Sequence, residues 1–329
     1  MKKEIAIKIL ILTEAGDKIG FGHYTRCSAI QESLKEAGHT CLMLLNLKGK
    51  HALKFEGASL DWQNNKSDLV EYKEQGFSHI LVDSYLTNLE NYTWLQDTFE
   101  QIFIIDDYNR IVYNGGMLIN PNVFATDIDY SNQTKVAAIY GGKDFVILRD
   151  VFRNGNASDV KEEVQNIVIT VGGSDYRNLI PQIVPIVQKE LEHCQISVIA
   201  GNPILQKKLQ NEFPTVKILG LLSAEEMHDV FQNGDIIISA CGQTLHELAS
   251  IGKPAIGICL DIDQVPNQAF YSKIGFIAPN LEYDNLSFLP QELFNLQSQK
   301  ERNQRQAIGL KAINKNGVKT ISQVITTSL

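Results

Sequence analysis

The chain has little with which to cross-link itself, hold a metal or grip nucleic acid. Its five cysteines, Cys27, Cys41, Cys194, Cys241 and Cys259, are odd in number, far apart and set in apolar segments. They form no C-x-x-C pair and no Cys/His cluster at metal-ligand spacing, so they read as reduced core thiols of a cytoplasmic protein. Positive charge is in deficit: 30 Lys and Arg against 38 Asp and Glu leave a net charge of −8. That excludes a broad basic face for nucleic acid, though not a local phosphate pocket. No apolar run approaches the roughly 18–20 residues that a membrane span needs. The apolar start of the chain is interrupted by Glu4 and Lys8 and followed by no small-residue cleavage site. It therefore reads as a buried first strand rather than a signal peptide. Internal repeats and low-complexity tracts are absent.

What remains is an ordinary globular composition, with 44% apolar and 21% charged residues. The length of 329 residues exceeds what one core usually holds, so two domains are expected. Short apolar runs alternate with helix-like segments throughout, the pattern of parallel sheets covered by helices. Strands are expected at 5–13, 40–45, 79–83, 101–106, 116–119 and 135–140 in the first half. In the second half they fall at 166–171, 196–200, 216–219, 235–239 and 254–260. Helices are expected at 23–37, ending on Gly38, and at 178–191, 224–232, 244–251 and 267–273. Ser223 and Glu226 form a capping box before the third of these, and 301–325 is helical. The polar, turn-rich stretch around Asn154–Asp159 marks a linker. The predicted organisation is a first Rossmann-like domain over 1–152, a linker over 153–165 and a second Rossmann-like domain over 166–329. The fold class is α/β, with two parallel sheets facing a central cleft. Ligands in such folds sit at the carboxyl ends of the strands.

Three segments carry chemistry. The first is Gly20-Phe21-Gly22-His23-Tyr24-Thr25-Arg26, between the first strand and the first helix. Two glycines allow a tight turn and close approach of a ligand. The helix end offers N–H groups and partial positive charge to an anion. A neutral His23 there can act as a base or orient a water, and Arg26 lies one turn on. The third glycine of a dinucleotide fingerprint is missing. The second segment is Gly172-Gly173-Ser174-Asp175, a strand-to-helix turn that fits either a phosphate cradle or a helix capped by Asp175 or Asn178. The third runs from Ser239 and Ala240 through Gly242 and Thr244 to Glu247. Its helix N-terminus can hold a diphosphate and Glu247 can accept ribose hydroxyls. The plain alternative is a helix whose Glu247 merely favours the dipole. Further polar groups end the other strands: Asp83 and Tyr85, Asp106 and Asp107, Asn122, and Asp263 and Gln264. Such carboxylates are catalytic in some enzymes and more often cap loops or pair with cations. Asp106 and Asp107 are adjacent and point opposite ways on an extended chain, so no metal is expected. His39, His51, His193 and His228 carry no assignment.

Taken in order, the Gly-Phe-Gly-His…Arg turn, Val-Asp-Ser-Tyr, Ile-Asp-Asp, Asn-Pro-Asn, Gly-Gly-Ser-Asp and Ile-Ser-Ala…Glu-Leu resemble the UDP-2,4-diacetamido-2,4,6-trideoxy-β-L-altropyranose hydrolase family of pseudaminic acid biosynthesis. That family is related to the nucleotide-sugar glycosyltransferases of the GT-B fold. The resemblance covers roughly residues 5–280. It implies that His23 activates or positions a water and that Tyr85 stands near the sugar. It also implies that Gly172, Gly173 and Ser174 face the diphosphate, and that Ser239 to Thr244 with Glu247 bind UDP. Gly20, Gly22, Arg26, Asp83, Asp106, Asn122, Asp263 and Gln264 are the candidate substrate-facing residues. The chain departs from the family at Asp263-Gln264, where Asn-Gln is usual, with Asn267-Gln268 as an alternative register.

The resulting expectation is hydrolysis of a UDP-activated amino sugar at its anomeric carbon, with inversion and without metal or cofactor. Three rivals stay open at this stage. One is a glycosyltransferase using the same donor site, and another is a non-catalytic nucleotide-sugar binding protein. The third is an epimerase employing Asp106, Asp107 or Asp263.

Overall fold

The computed structural model describes residues 6–16, 19–49, 55–157, 159–172 and 175–327. The chain divides into two compact units, Met1–Leu148 with Asn316–Leu329, and Arg149–Lys315.

The first unit holds strands β1 (Lys8–Gly16), β2 (Thr40–Lys48), β3 (Gly57–Ser59), β4 (His79–Asp83), β5 (Gln101–Ile105), β6 (Met117–Asn120) and β7 (Ala138–Gly141). Helices α1 (Gly22–Glu36), α2 (Lys66–Glu74) and α3 (Leu89–Thr98) connect them. All pairings are parallel, in the order β3-β2-β1-β4-β5-β6-β7. Central β1 shows why its sequence is apolar without alternation. Ile9, Leu10, Ile11 and Leu12 are all fully buried, because a parallel sheet is covered on both faces. Ile9 and Ile11 point to one side and pack with Cys27, Ile30 and Leu34 of α1. Leu10 and Leu12 point to the other and pack with Trp62, Leu69, Tyr92 and Leu95.

The second unit contains α4 (Asp150–Asn154), β8 (Asn166–Thr170), α5 (Ile180–Glu190), β9 (Gln195–Ile199), α6 (Pro203–Glu212), β10 (Lys217–Leu219) and α7 (Ala224–Asn233). It continues through β11 (Ile236–Ala240), α8 (Gln243–Ser250), β12 (Ala255–Ile258), α9 (Val265–Lys273), α10 (Leu289–Gln297) and α11 (Gln299–Ala312). Its five parallel strands run β10-β9-β8-β11-β12. The inner residues Ile167, Ile169, Ile236, Ile238, Ile256 and Ile258 meet Ile180, Ile183 and Val187 of α5 and Leu289, Leu293 and Leu296 of α10. The Ser223–Glu226 capping box is present in both directions at the start of α7. The last helix, α12 (Gly317–Thr327), belongs to the first unit. There Val318, Ile321 and Ile325 join the α1 side of the core.

Several boundaries differ from those read in the sequence. The division lies between Leu148 and Arg149 rather than within 153–165, and 316–329 goes with the first unit. The later part of the expected linker, at Lys161 and Glu162, is held to the second unit by Arg302 of α11. That side chain is fully buried and donates from Nη1 to the Lys161 carbonyl at 3.0 Å and from Nη2 to the Glu162 carbonyl at 2.8 Å. Local composition carries no trace of a partner some 140 residues away. The expected 301–325 helix is two helices, α11 and α12, parted at 313–316. Helices α2, α3, α4, α6 and α10 were not expected. Of these, α2 and α6 each bury a single side chain, Leu69 or Leu209, a stripe too thin to show as a period. Four of the cysteines are buried, Cys194 is half-buried, and all five are free thiols. Among the described residues, no helix is long and apolar enough to cross a membrane.

One buried histidine makes the stability of the second unit depend on acid. His246 of α8 is 3% exposed, with Nδ1 2.7 Å from the Tyr271 hydroxyl. Burial pushes its imidazole down to about 4. An unfolded histidine titrates near 6.5, so as the pH falls from about 6.5 to 4 the unfolded chain takes up a proton that the folded unit refuses. Stability is therefore full above this window and declines through it, by about 3 kcal/mol at the acid end. Urea unfolding followed by far-UV circular dichroism should show this slope, and His246→Gln should flatten it. An unchanged slope in the variant would refute the assignment.

Candidate active site

In the first sheet the strand order reverses between β1 and β4. That is where a doubly wound sheet opens a crevice beyond its strand ends. The chain leaves β1 through a tight loop in which Gly20 N–H donates to the Gly16 carbonyl at 2.7 Å and Gly16 N–H to the Gly20 carbonyl at 3.1 Å. Gly20 has φ +79°, in the left-handed region where a side chain is strained. Helix α1 then begins at Gly22. Its N-cap, Phe21, makes no side-chain capping bond, and its first turn has no acidic residue. The first N–H groups of α1 are thus not capped by a side chain of this kind, which suits an anion.

One face of α1 meets the ends of β4, β5 and β6. His23, 7% exposed, places Nδ1 2.7 Å from Asp83 Oδ1 at the end of β4. Arg26, one turn further, spreads its guanidinium across two carboxylates. Nε and Nη2 donate to Asp83 Oδ2 and Oδ1, each at 2.6 Å. Nη1 and Nη2 donate to Asp107 Oδ1 and Oδ2, each at 2.9 Å. Asp107 also accepts the Tyr85 hydroxyl at 2.5 Å and the Asn122 amide at 2.7 Å. The Tyr85 ring stands edge-on to His23, with centroids 4.5 Å apart.

The proton inventory settles the histidine tautomer. Both protons of Arg26 Nη2 are directed at carboxylates, one to each aspartate. Its approach to His23 Nδ1 at 3.1 Å therefore is not a hydrogen bond to a bare nitrogen. Nδ1 must carry the proton it gives to Asp83, and in the neutral ring the lone pair sits on Nε2. Burial alone would push the Asp83 and Asp107 carboxyls up. The Arg26 guanidinium, with His23 in the case of Asp83, outweighs it and holds both below the usual carboxylate range. Burial and the Asp107 charge push the Tyr85 phenol well up, so it stays a proton donor.

The structure brings His23, Arg26, Asp83, Tyr85 and Asn122 together and leaves Asp106 out. Asp106 turns the other way, as adjacent residues do, and accepts the Tyr113 hydroxyl at 2.7 Å and the N–H groups of Tyr108 and Arg110. Its neighbour Asp107 takes the place in the cluster. Sequence reasoning also missed Glu14, fully buried at the end of β1. Its carboxylate accepts the backbone N–H of Tyr85 at 2.7 Å and the Ser84 hydroxyl at 2.5 Å, fixing the loop that carries Tyr85. A lone acid closing an otherwise apolar strand was the available signal.

The second sheet reverses between β8 and β11. Gly172 follows β8 with φ +91° and open space where a Cβ would stand. Gly173 and Ser174 lie outside the described residues. Asp175 accepts the N–H groups of Leu179 and Ile180 at 2.8 and 3.0 Å, so it caps α5, as the plainer reading of that turn held. After β11, Ser239 is fully buried and gives its hydroxyl to the Ala240 carbonyl at 2.9 Å. Gly242 is the N-cap of α8, again without a side-chain capping bond or an acid in the first turn, and Thr244 lies in that turn half-buried. Gln264 reaches to within 3.9 Å of the position a Gly242 Cβ would take, and Asp263 is exposed on the same turn. Glu247, 1% exposed, has both carboxylate oxygens on the fork of Arg149, at 2.6 and 2.8 Å. Asn267 and Gln268 are buried and donate to the Cys241 and Leu281 carbonyls. Among the described residues, no group of three or more histidine, cysteine, aspartate or glutamate side chains is arranged to hold a metal ion.

Comparison with known proteins agrees with this architecture. Residues 166–325 match the model of the glycosyltransferase family 28 C-terminal domain. The bifunctional pseudaminic acid cytidylyltransferase and UDP-2,4-diacetamido-2,4,6-trideoxy-β-L-altropyranose hydrolase of Helicobacter pylori is 23% identical over 92% of this chain and 52% of its own length. The chain thus spans about half the length of that relative. The crystal structure of Acinetobacter baumannii MurG superposes with a TM-score of 0.64 at 15% identity, over 97% of this chain and 99% of its own. The UDP-GlcNAc 2-epimerase of Neisseria meningitidis, solved bound to UDP-GlcNAc, gives 0.57 at 15% identity, over 97% and 98%. The chain resembles the altropyranose hydrolase family, and its fold is that of the GT-B glycosyltransferases, with two parallel α/β sheets.

The carboxylate cluster should be costly to break. Asp107→Ala removes one side of the Arg26 bridge and leaves Tyr85 and Asn122 without their shared acceptor. Unpairing a buried ion pair costs about 3–5 kcal/mol. Both tryptophans, Trp62 and Trp94, lie in the first unit, so their fluorescence during urea unfolding reads this unit alone. A loss below about 1 kcal/mol, the scale of an exposed pair, would contradict the buried-network reading.

Proposed function

We propose that the chain hydrolyses a UDP-activated amino sugar at the anomeric carbon, releasing UDP and the free sugar with inversion. The observation that carries this reading is His23 Nδ1 held by Asp83 at 2.7 Å, which leaves Nε2 to take a proton. Asp83 sets the tautomer and favours the imidazolium that forms, the role a carboxylate plays behind a catalytic histidine. Water gives its proton to Nε2 as its oxygen bonds to C1, and the bond from C1 to the diphosphate oxygen breaks. One direct displacement inverts the centre. UDP departs as an anion, a group that the N–H groups of a helix N-terminus such as that of α8 can receive, and as a good leaving group it requires no general acid. The donor is suggested by the names of the relatives, one a UDP-sugar hydrolase and one a protein bound to UDP-GlcNAc. A place in nonulosonic acid or surface polysaccharide synthesis, in the cytoplasm, goes with the same reading.

Within this reading Tyr85 and Asn122, both fixed by Asp107, are the residues of the first unit offered to the sugar. Gly172, Ala240, Gly242, Thr244, Glu247 and Gln264 are those of the second unit offered to the nucleotide. Gly173, Ser174 and Asp263 keep the places that the resemblance gives them. Arg26 has its fork occupied by carboxylates and serves to hold Asp83 and Asp107.

The match to a glycosyltransferase domain favours a second reading, transfer of the sugar to an acceptor hydroxyl from the same donor. Incubation with a panel of UDP-sugars and no acceptor separates the two. Hydrolysis releases UDP at full rate, whereas a transferase releases little until an acceptor is added. In the hydrolytic assay His23→Asn and Asp83→Asn should each lower turnover by about 10²–10⁴-fold while UDP still binds. Near-normal turnover in His23→Asn with binding intact would sink the role given to His23.

A further inference from the structure

Glu14, near the end of β1, carries a carboxylate that is fully buried. Such a group is costly to keep unless donors surround it, and most of its donors come from one loop. Tyr85 N–H donates to Oε1 at 2.7 Å, and Leu86 N–H to the same oxygen at 3.2 Å. The Ser84 hydroxyl donates to Oε2 at 2.5 Å, and the Gln63 amide at 3.3 Å. Ser84 Oγ in turn accepts Thr87 N–H at 3.0 Å. The loop at 84–86, between β4 and α3, is thus tied to the central strand of its sheet. A second tie comes from Arg110. Its Nη2 donates to the Ser84 carbonyl at 2.8 Å, and its guanidinium lies 4.5 Å over the centre of the Tyr85 ring. Tyr85 is 41% exposed, and exposed side chains ordinarily change rotamer freely. Here the hydroxyl, the backbone N–H and one ring face are each held, by Asp107, Glu14 and Arg110. The ring therefore has a fixed plane, edge-on to His23 with centroids 4.5 Å apart.

We propose that Glu14 is a positioning residue that sets the choice of nucleophile. By fixing the 84–86 loop it holds the Tyr85 ring as a rigid stop beside His23, leaving room at the base for water and not for an alcohol. This rests on the reading of His23 as the base. The reacting oxygen must come within about 3 Å of His23 Nε2. Water brings nothing else into that space, whereas any alcohol brings a carbon bonded to the same oxygen. With an alcohol the step is otherwise unchanged. The O–H proton goes to Nε2, the oxygen bonds to C1, and the bond from C1 to the diphosphate oxygen breaks. UDP then leaves beside an alkyl glycoside in place of the free sugar. The ratio of glycoside to free sugar therefore measures the room that the ring leaves. Removing the Glu14 carboxylate strips the acceptor from Tyr85 N–H and the Ser84 hydroxyl, and the ring loses one of its three holds.

The test is product partition. The full chain turns over the UDP-sugar that it hydrolyses fastest, in buffer containing methanol, and free sugar and methyl glycoside are resolved by liquid chromatography and mass spectrometry. A product ratio does not depend on how much of the protein is folded, so a merely structural role would not move it. Wild type should form methyl glycoside well below the share set by the ratio of methanol to water. Glu14→Ala should raise that share about tenfold, the lower end of what discrimination against one carbon is worth. Tyr85→Ala should raise it as far, and the double variant no further, because Glu14 acts through that ring. Leu69→Ala, which opens a cavity in the core under α2, should lower stability and leave the ratio alone. An unchanged share in Glu14→Ala would overturn the inference, and so would an equal rise in Leu69→Ala. A wild-type share already equal to the methanol-to-water ratio would overturn it too. Should Glu14→Ala not fold, Glu14→Gln, with one acceptor oxygen for the loop donors, and Arg110→Met decide in its place. A wild-type share in both would then overturn it. A wild type that releases no UDP in water alone would instead overturn the hydrolytic reading, and this inference with it.

Discussion

The first unit is organised around one guanidinium. Arg26 lies on α1, but its two carboxylate partners end β4 and β5, and through Asp107 it reaches Asn122 just beyond β6. Three strand ends and a helix are therefore joined through a single half-buried cation. A parallel sheet leaves its strand ends carrying unpaired polar groups and whatever acids the loops supply. Two aspartates at neighbouring ends would repel each other, and each would resist burial. Arg26 turns that repulsion into a clamp. His23 and Tyr85 derive their orientation from it, since each bonds to an aspartate that Arg26 already holds. A lysine could supply the charge but not a planar fork spanning two carboxylates.

The second unit repeats the device with different parts. A buried acid, Glu247, is met by a forked arginine, Arg149. In both units the clamp stands beside a helix whose N-terminus lacks side-chain capping, α1 in one and α8 in the other. Four other helices carry a side-chain N-cap, α3 by Asn88, α6 by Asn202, α7 by Ser223 and α11 by Ser298, while α2, α4, α9 and α10 share the lack of one. At α1 and α8 the lack has a physical sense. A capping side chain would satisfy the N–H groups that an anion needs, and an acid in the first turn would repel the anion.

Much of this was legible in the sequence because it is local. Runs such as Ile9–Leu12 and Ile236–Ile238 announce buried parallel strands, and glycines before His23 and after Cys241 announce the turns. Asp83, Tyr85 and Asn122 were legible as strand-end polar groups, and His23 as a polar group at a helix start. What stayed hidden is pairing over distance. Asp106 and Asp107 cannot be told apart by composition, since only the twist at the end of β5 decides which one faces Arg26. Glu14 gains meaning from the loop at 84–86 that it anchors, and Arg149 from Glu247. The expected linker failed for the same reason, because Arg302 ties the segment down from far along the chain. The resemblance supplied what periodicity could not, the order of the motifs and a reaction to test.

The burial of His23 bears on the choice between water and a larger acceptor. The ring is 7% exposed, one nitrogen is taken by Asp83, and the Tyr85 ring covers it edge-on at 4.5 Å. Tyr85 does not swing freely, since its hydroxyl is on Asp107 and its backbone N–H on Glu14. A base approached past a fixed aromatic edge admits a small nucleophile more readily than the hydroxyl of a bulky acceptor, whose neighbouring groups must also be accommodated. Proton transfer also needs the reacting oxygen within about 3 Å of the ring nitrogen. On the proposed reading, in which His23 is the base, the same clamp that fixes the tautomer also restricts access to it, and that restriction fits water as the nucleophile.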